Sequence, residues 1–151
     1  MGSTLSALLG GGGAAAAAEA HPGDSSSDSS PVIEFHSSNR WQLHLNASKQ
    51  IPKLVTLSLP CMVVDFSASW CGPCKLMEPA IHSMATKFAE VDFVKIDVDE
   101  LSDVAQDFGV QAMPTFVFLK QGKEVDRVIG AKKDELERKV LKHKESPKFA
   151  A

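Results

Sequence analysis

Residues 62–75 read MVVDFSASWCGPCK, and this stretch decides the fold. Its first five residues are apolar and rich in β-branched side chains apart from Asp65, a pattern typical of a buried central strand. Beyond Cys74, apolar residues recur at helical spacing and predict an amphipathic helix over about 74–90, interrupted by Pro79. The apolar positions of this helix are Leu76, Met77, Ala80, Ile81, Met84 and Phe88. A buried strand that passes straight into a helix favours the α/β class.

The periodicities on either side extend the same alternation. The predicted strands are 32–35, 62–66, 93–98, 115–119 and 124–129, the last two joined by Gln121-Gly122. The predicted helices are one capped by Ser37 or Ser38 and ended by Pro52, then 74–90, 102–108 and 132–144. We expect the inward side chains to be Trp41, Leu45 and Ile51 in the first helix and Leu136, Val140 and Leu141 in the last. This order predicts a sheet between helices, with parallel pairs in its first half and a hairpin near its end.

Length and charge limit the classes of protein that fit. The chain has 151 residues, enough for one domain, and a net charge of −3 that comes from three acids within residues 1–30. The remaining residues are neutral overall, which gives no reason to expect nucleic acid as a partner. No apolar run reaches the roughly 18 residues of a transmembrane helix, and three cysteines are too few for a disulfide-stapled secreted scaffold. We expect an intracellular globular domain whose charged runs at 90–107 and 132–148 are solvated faces.

Residues 1–30 differ in composition, because Gly, Ala and Ser supply 20 of these 30 positions. Such a segment buries too little apolar surface to order itself, so we predict a disordered tail at 1–30, a folded domain at 31–145 and a disordered C-terminus at 146–151. The opening MGSTLS fits the pattern for N-myristoylation of Gly2. An unmodified tail and a secretory signal are the alternatives. Against secretion, no Lys or Arg precedes the apolar stretch and a glycine run interrupts it.

Cys71 and Cys74 stand where the predicted strand gives way to the helix. A cysteine at a helix start faces unpaired backbone N–H groups and the positive end of the helix dipole, which both favour thiolate, so Cys71 is the candidate nucleophile. Cys74 lies one turn deeper and can reach it. Gly72 lets the backbone turn tightly, and Pro73 fixes φ without losing a needed donor. The alternative is half of a zinc site, but Cys61 and the scattered histidines offer no second ligand pair.

Asp65 is the second candidate for chemistry. A carboxylate inside an apolar strand is costly and should have a raised pKa, which suits a proton acceptor or donor near neutral pH. It precedes Cys71 by six residues, so the strand and turn can bring it beneath the helix. The alternative is an aspartate at a strand end, exposed to water. Cys61, at the start of the same strand, is interpreted as a small buried hydrophobe, with a regulatory thiol as the alternative.

The strings DFSASWCGPCK at 65–75 and QAMPTF at 111–116 resemble thioredoxins, and the tail makes the chain similar to plant h-type thioredoxins. The resemblance runs from about Pro31 to His143. It implies the thioredoxin fold, a central mixed β-sheet with helices on both faces. It also implies a protein-disulfide reductase in which Cys71 attacks a substrate disulfide and Cys74 resolves the mixed disulfide. An NADPH-dependent thioredoxin reductase would then re-reduce the pair, with no cofactor on this chain.

The same resemblance assigns roles by position. Asp65 matches the buried acid that assists deprotonation of Cys74. The other matched positions support the site or bind substrate: Lys95 near the acid, Trp70 flanking the site, Gly72 and Pro73 tuning the redox potential, Pro79 kinking the helix, Met113 offering its backbone to an extended substrate, Pro114 as a cis-proline, and Gly130 keeping the groove open.

The sequence departs from the family pattern in two places. The link that includes 54–61 is longer than usual, and Ser67 stands where many bacterial thioredoxins have tryptophan. Two other functions are the alternatives: an oxidase or isomerase of the disulfide-isomerase type, against which Pro73 counts, and a binding module whose redox chemistry is incidental. We expect a monomer, mostly cytoplasmic, with a minor membrane pool if Gly2 is acylated.

Overall fold

The computed structural model describes residues 31–50 and 60–144, and the elements it defines belong to the unit Val32–Ala151. These elements are β1 (Ile33–Phe35), α1 (Ser38–Lys49), β2 (Cys61–Ser67), α2 (Gly72–Lys87), β3 (Asp92–Asp97), α3 (Ser102–Asp107), β4 (Thr115–Lys120), β5 (Lys123–Ile129) and α4 (Lys133–Lys144). Their order is the predicted one, with ends shifted by three residues or fewer. Ser37 is the cap of α1 and accepts from the Arg40 N–H. Ile51, Pro52 and nearly all of the 54–61 link lie outside the described residues, as do 1–30 and 146–151.

The five strands form one mixed sheet in the order β1-β3-β2-β4-β5. Strand β3 runs parallel to β1 and β2, whereas β4 is antiparallel to β2 and β5. The predicted parallel pairs and C-terminal hairpin are therefore confirmed. The hairpin turns at Gln121 and Gly122, which both have positive φ, 53° and 77°, as a two-residue turn that matches the twist of the strands requires.

The alternation of side chains along the strands divides the core into two layers. One face of the sheet packs on α2 and α4 through Val63, Phe93, Phe116, Phe118, Met77, Ile81, Leu136 and Val140. The other face packs on α1 and α3 through Trp41, Leu45, Val64, Phe66, Ile96, Val104 and Val117. Every residue of β2 is buried because both faces of this central strand are covered, as the apolar run predicts.

Two of the predicted core positions are wrong. Leu76 is 80% exposed and Leu141 is 42% exposed. Each is next in sequence to a residue that faces the sheet, Met77 and Val140 respectively, and one step along a helix turns the side chain by about 100°. The buried faces of α2 and α4 are therefore narrower than the apolar stripes in their sequences predict. Helix α2 also begins two residues earlier than predicted and continues through Pro79 without a break.

Candidate active site

The two cysteines of the Cys-Gly-Pro-Cys string form a disulfide at the start of α2, with their Cα atoms 5.3 Å apart. Cys71 is the N-cap of the helix, in extended conformation, and its Sγ accepts from the backbone N–H of Cys74 at 3.2 Å. Cys71 is 4% exposed and Cys74 5%, while Gly72 and Pro73 between them are exposed. Once the bond is reduced, this N–H and the helix dipole stabilise negative charge on the Cys71 sulfur.

The loop before β4 lies against the disulfide. The Met113–Pro114 peptide bond is cis, in agreement with the resemblance, and the carbonyl oxygen of Met113 is 3.7 Å from Cys71 Sγ. The Gly130 N–H donates to the Pro114 carbonyl at 2.8 Å. Gly130 has a φ of 102°, a backbone conformation that favours glycine. The structure thus brings Cys71, Met113, Pro114 and Gly130 together.

Trp70 flanks the disulfide on the chain's approach to α2. Its ring is 65% exposed, and its indole Nε1–H donates to Asp99 Oδ2 at 2.8 Å. The Asp99 backbone N–H in turn donates to Asp97 Oδ1 at 2.8 Å. Asp99 therefore orients a ring that sequence reasoning left without a partner. The sequence predicts only a solvated face for the acidic run at 90–107, and the spacing of its acids does not point to Trp70.

Asp65 lies on β2, on the sheet face that α2 covers. It is 5% exposed, and its Oδ1 has no hydrogen-bond partner within the part of the chain that the structure describes. Burial raises the pKa of Asp65 to about 7, with Lys95 opposing the shift and Glu78 adding to it. The predicted raised pKa is confirmed, and the alternative of a water-exposed carboxylate is wrong.

Lys95 is the register partner of Asp65 on β3, so both side chains lie on the same face of the sheet. Its Nζ, however, donates to Glu78 Oε2 of α2 at 2.9 Å. A polar cavity of about 260 Å³ opens beside this pair and is lined by Cys74, Ser67, Glu78 and Lys95 among others. Sequence reasoning missed Glu78, although it follows Cys74 by four residues, the spacing that puts two side chains on one helix face.

Cys61, the free cysteine among the described residues, is at the opposite end of β2. It is buried in the apolar layer beside Val63, and burial raises the pKa of its thiol to about 11 against the opposing charge of Lys120. A thiol that stays protonated at neutral pH is a poor nucleophile. Its surroundings agree with the interpretation as a small buried hydrophobe.

Residues 31–50 and 60–144 contain no group of three or more His, Cys, Asp or Glu side chains arranged to hold a metal ion. In the same ranges, no helix is long and apolar enough to cross a membrane. Gly2, the predicted acylation site, lies outside them.

Comparison with known proteins agrees with this geometry. Residues 43–142 match the model of the thioredoxin family. The chain belongs to the thioredoxin family. It is 58% identical over 142 residues to Thioredoxin H2 of Arabidopsis thaliana, an alignment that covers 94% of this chain and 98% of that protein. It is also 52% identical over 119 residues to Thioredoxin H2-2 of Oryza sativa subsp. japonica, with 79% and 84% covered.

The crystal structure of thioredoxin NaTrxh from Nicotiana alata superimposes with a TM-score of 0.71 at 70% sequence identity. This match covers 77% of the present chain and 95% of that one. The predicted resemblance to plant h-type thioredoxins and the predicted fold are both confirmed. This thioredoxin is a thiol-disulfide oxidoreductase that reduces the disulfides of protein substrates through the Cys71–Cys74 pair. Thioredoxins use their own dithiol for this chemistry and need no cofactor.

Proposed function

We propose that the reductase works in two half-reactions, in which Cys71 opens the substrate disulfide and Cys74, deprotonated by Asp65, releases the product. In the first, the Cys71 thiolate forms a bond to one substrate sulfur. The substrate S–S bond breaks, and its electron pair leaves on the second sulfur, which takes a proton from water. The N–H of Cys74 directed at Cys71 Sγ supports this role, because it stabilises the attacking thiolate.

In the second half-reaction, Asp65 takes the proton of the Cys74 thiol. The resulting thiolate bonds to Cys71 Sγ, the bond between Cys71 and the substrate breaks, and the substrate leaves as a thiolate that is then protonated. The observation that carries this role is the burial of Asp65 with an Oδ1 that has no partner among residues 31–50 and 60–144, since such a carboxyl is poised to exchange a proton near pH 7.

For substrate binding, we propose an extended segment that pairs with the backbone of Met113 next to the cis Pro114. The flanking residues of this substrate segment would lie over the open backbone at Gly130 and against the Trp70 ring. The closeness of the Met113 carbonyl to Cys71 Sγ supports this arrangement, because it puts a backbone acceptor beside the attacking sulfur.

The reaction needs a partner that recycles the protein. Each turnover leaves a Cys71–Cys74 disulfide and consumes two electrons, which must come from outside the chain. We propose an NADPH-dependent thioredoxin reductase as the donor. The test is a coupled assay in which NADPH oxidation depends on all three of reductase, this protein and a disulfide substrate; NADPH oxidation that does not require the chain would contradict the proposal.

The core assay is reduction of insulin disulfides with dithiothreitol. Cys71→Ser should abolish turnover, because it removes the attacking sulfur, and Cys74→Ser should accumulate mixed disulfides on Cys71. Cys61→Ser is the matched control, since its buried thiol takes no part, and it should retain normal turnover. Full turnover by Cys71→Ser would overturn the assignment.

For location, we propose that residues 31–145 form the catalytic unit, active as a monomer in the cytoplasm, and that Gly2 carries a myristoyl group. One acyl chain gives marginal, reversible membrane attachment, and no cysteine precedes Cys61 to supply a second anchor. The expected distribution is mostly cytosolic, with a minor membrane pool that Gly2→Ala removes and Ser3→Ala retains. An equal membrane pool for wild type and Gly2→Ala would rule out the acyl anchor.

A further inference from the structure

Three side chains form one row across the sheet face that α2 covers. Lys95 on β3 is in register with Glu34 on β1 on one side and with Asp65 on β2 on the other. Adjacent strands are about 4.8 Å apart, so the lysine stem lies between two carboxylates. The register alone does not say which acid the ammonium binds.

The closest partner of the Lys95 ammonium is neither Glu34 nor Asp65. It is a third acid, which lies above the sheet. Glu78 of α2 holds Lys95 Nζ at 2.9 Å, and it lies one helical turn after Cys74 on the same side of the helix. Burial lowers the pKa of Lys95, but the hydrogen bond to Glu78 and the negative charges of Glu78, Glu34 and Asp65 together outweigh burial, so the pKa is raised. The lysine is therefore a charged group whose closest counter-ion is Glu78.

This pairing changes what Asp65 experiences. An unopposed ammonium next to Asp65 would favour its ionised form, whereas Glu78 offsets that charge and adds a negative charge of its own. The polar cavity that contains Glu78 and Lys95 also reaches Cys74, which gives a proton a route between the helix and solvent.

We propose that Glu78 is a positioning residue of the resolving half-reaction: by holding the ammonium of Lys95 it leaves the Asp65 carboxyl unpaired and able to accept the proton of Cys74. The inference rests on the proposed role of Asp65 as the base. The thiol proton moves to Asp65, the Cys74 thiolate forms a bond to Cys71 Sγ, and the electron pair of the broken Cys71–substrate bond leaves with the substrate sulfur.

The other groups around Asp65 do not provide the same effect. Its register partner on β4 is Phe116, which carries no charge. The cavity's remaining charged residues are Glu34, Lys75 and Asp97. Among the described residues, the charges that act on the pKa of Asp65 are those of Lys95 and Glu78.

The test uses the full chain with its disulfide closed, so that Cys71 and Cys74 do not titrate. The Asp65 carboxyl is followed by ¹³C NMR against pH in wild type, Glu78→Gln and Glu78→Asp. Glutamine keeps the size and an acceptor for Lys95 but loses the charge, so the Asp65 midpoint should fall by about one pH unit, and aspartate should restore part of the shift. Glu137→Gln, which removes the acid of the Lys87–Glu137 pair elsewhere, should leave the midpoint unchanged. An unchanged midpoint in Glu78→Gln overturns the inference.

A double-mutant cycle separates action through Lys95 from direct repulsion. In a Lys95→Gln background, Glu78→Gln should shift the Asp65 midpoint by less than it does in wild type. An equal shift in both backgrounds would mean that Glu78 does not act through the lysine, which overturns the proposed mechanism.

Stopped-flow kinetics connect the titration to the reaction. In Glu78→Gln, the pH midpoint of the resolving step should move down with that of Asp65, while the rate of Cys71 attack stays the same. If Asp65→Asn abolishes the pH dependence of resolution and Glu78→Gln does not move it, the Glu78 inference fails alone. If Asp65→Asn leaves that dependence unchanged, the proposed base fails.

Discussion

Asp65 and Asp126 lie on the same sheet in opposite surroundings. Asp65, on the central strand β2, is fully buried, and its Oδ1 has no partner among the residues that the structure describes. Asp126, on the edge strand β5, is partly buried, with its side chain 18% exposed, and its carboxylate is surrounded by donors. Lys139 Nζ lies 2.8 Å from Oδ1, His143 Nε2 lies 2.9 Å from Oδ2, and the Arg127 N–H donates to Oδ1 at 2.8 Å.

The pKa values of the two acids move in opposite directions from the ordinary value of a carboxyl. For Asp65, burial dominates and raises the pKa to about 7. For Asp126, burial also opposes ionisation, but the hydrogen bonds from Lys139, His143 and Arg127 outweigh it and hold the pKa well below its usual range. Burial alone therefore does not make a titrating acid. The depth of burial and the supply of donors together decide whether an aspartate of this sheet serves as a proton acceptor or as a structural anchor.

The largest expected effect is on the reaction. Asp65→Asn removes the base but keeps the side-chain shape, so release from the Cys71 mixed disulfide should slow by about 100-fold at pH 7, while the initial attack changes little. Single-turnover stopped-flow measurements over pH 6 to 8 distinguish the two steps. Asp126→Asn is the matched control and should leave both rates as they are. Unchanged resolution kinetics in Asp65→Asn would mean that Asp65 is not the base, and the two aspartates would then not differ in function.

Sequence reasoning could identify Asp65 but not Asp126. Asp65 interrupts an apolar run. Burying a carboxylate at such a position costs folding free energy, which indicates a functional role. Asp126 stands in the alternating strand KEVDRVI, where a charged residue is expected to face water. Two of its donors lie on α4, 13 and 17 residues further on, within a run that we interpreted as a solvated face. Contacts between separate elements have no local signal in the sequence.

The same limit applies within the candidate site. Local patterns predict the strands, the helix start at the cysteine pair and the parallel order, because each depends on side-chain periodicity and turn chemistry. The family resemblance places Lys95 near Asp65. Neither predicts that the ammonium binds Glu78, since the choice among the nearby carboxylates depends on how α2 sits over the sheet.

The next effect is on stability. Burial raises the folded-state pKa of Asp65 above its value in the unfolded chain. The stability that depends on this group is therefore fully present below about pH 4, where the folded and the unfolded chain both bind the proton. This stability is lost as the pH rises through about 7. Asp65→Asn should therefore be more stable than wild type by roughly 2 kcal/mol at pH 8, with the gap narrowing toward pH 4. Urea unfolding of the oxidised protein at pH 8 and at pH 4 measures this difference in stability. A less stable variant would mean that Asp65 is paired or solvated.

The smallest effect has the opposite sign. Asp126→Asn leaves Lys139 and His143 without their carboxylate, although Lys139 keeps Glu135 at 3.3 Å, so we expect a loss of about 1 kcal/mol at pH 7. Since the folded-state pKa of Asp126 is depressed, the stability it contributes is present above the ordinary carboxyl pKa of about 4 and is lost as pH falls below it. The difference in unfolding free energy between wild type and Asp126→Asn should therefore shrink from pH 7 to pH 3. The control is Asp107→Asn, at an exposed position, which should change stability by less than about 0.5 kcal/mol at both pH values. A gap that widened on acidification would mean that the Lys139 and His143 contacts do not stabilise the ionised acid, and the two aspartates would no longer differ in the way proposed.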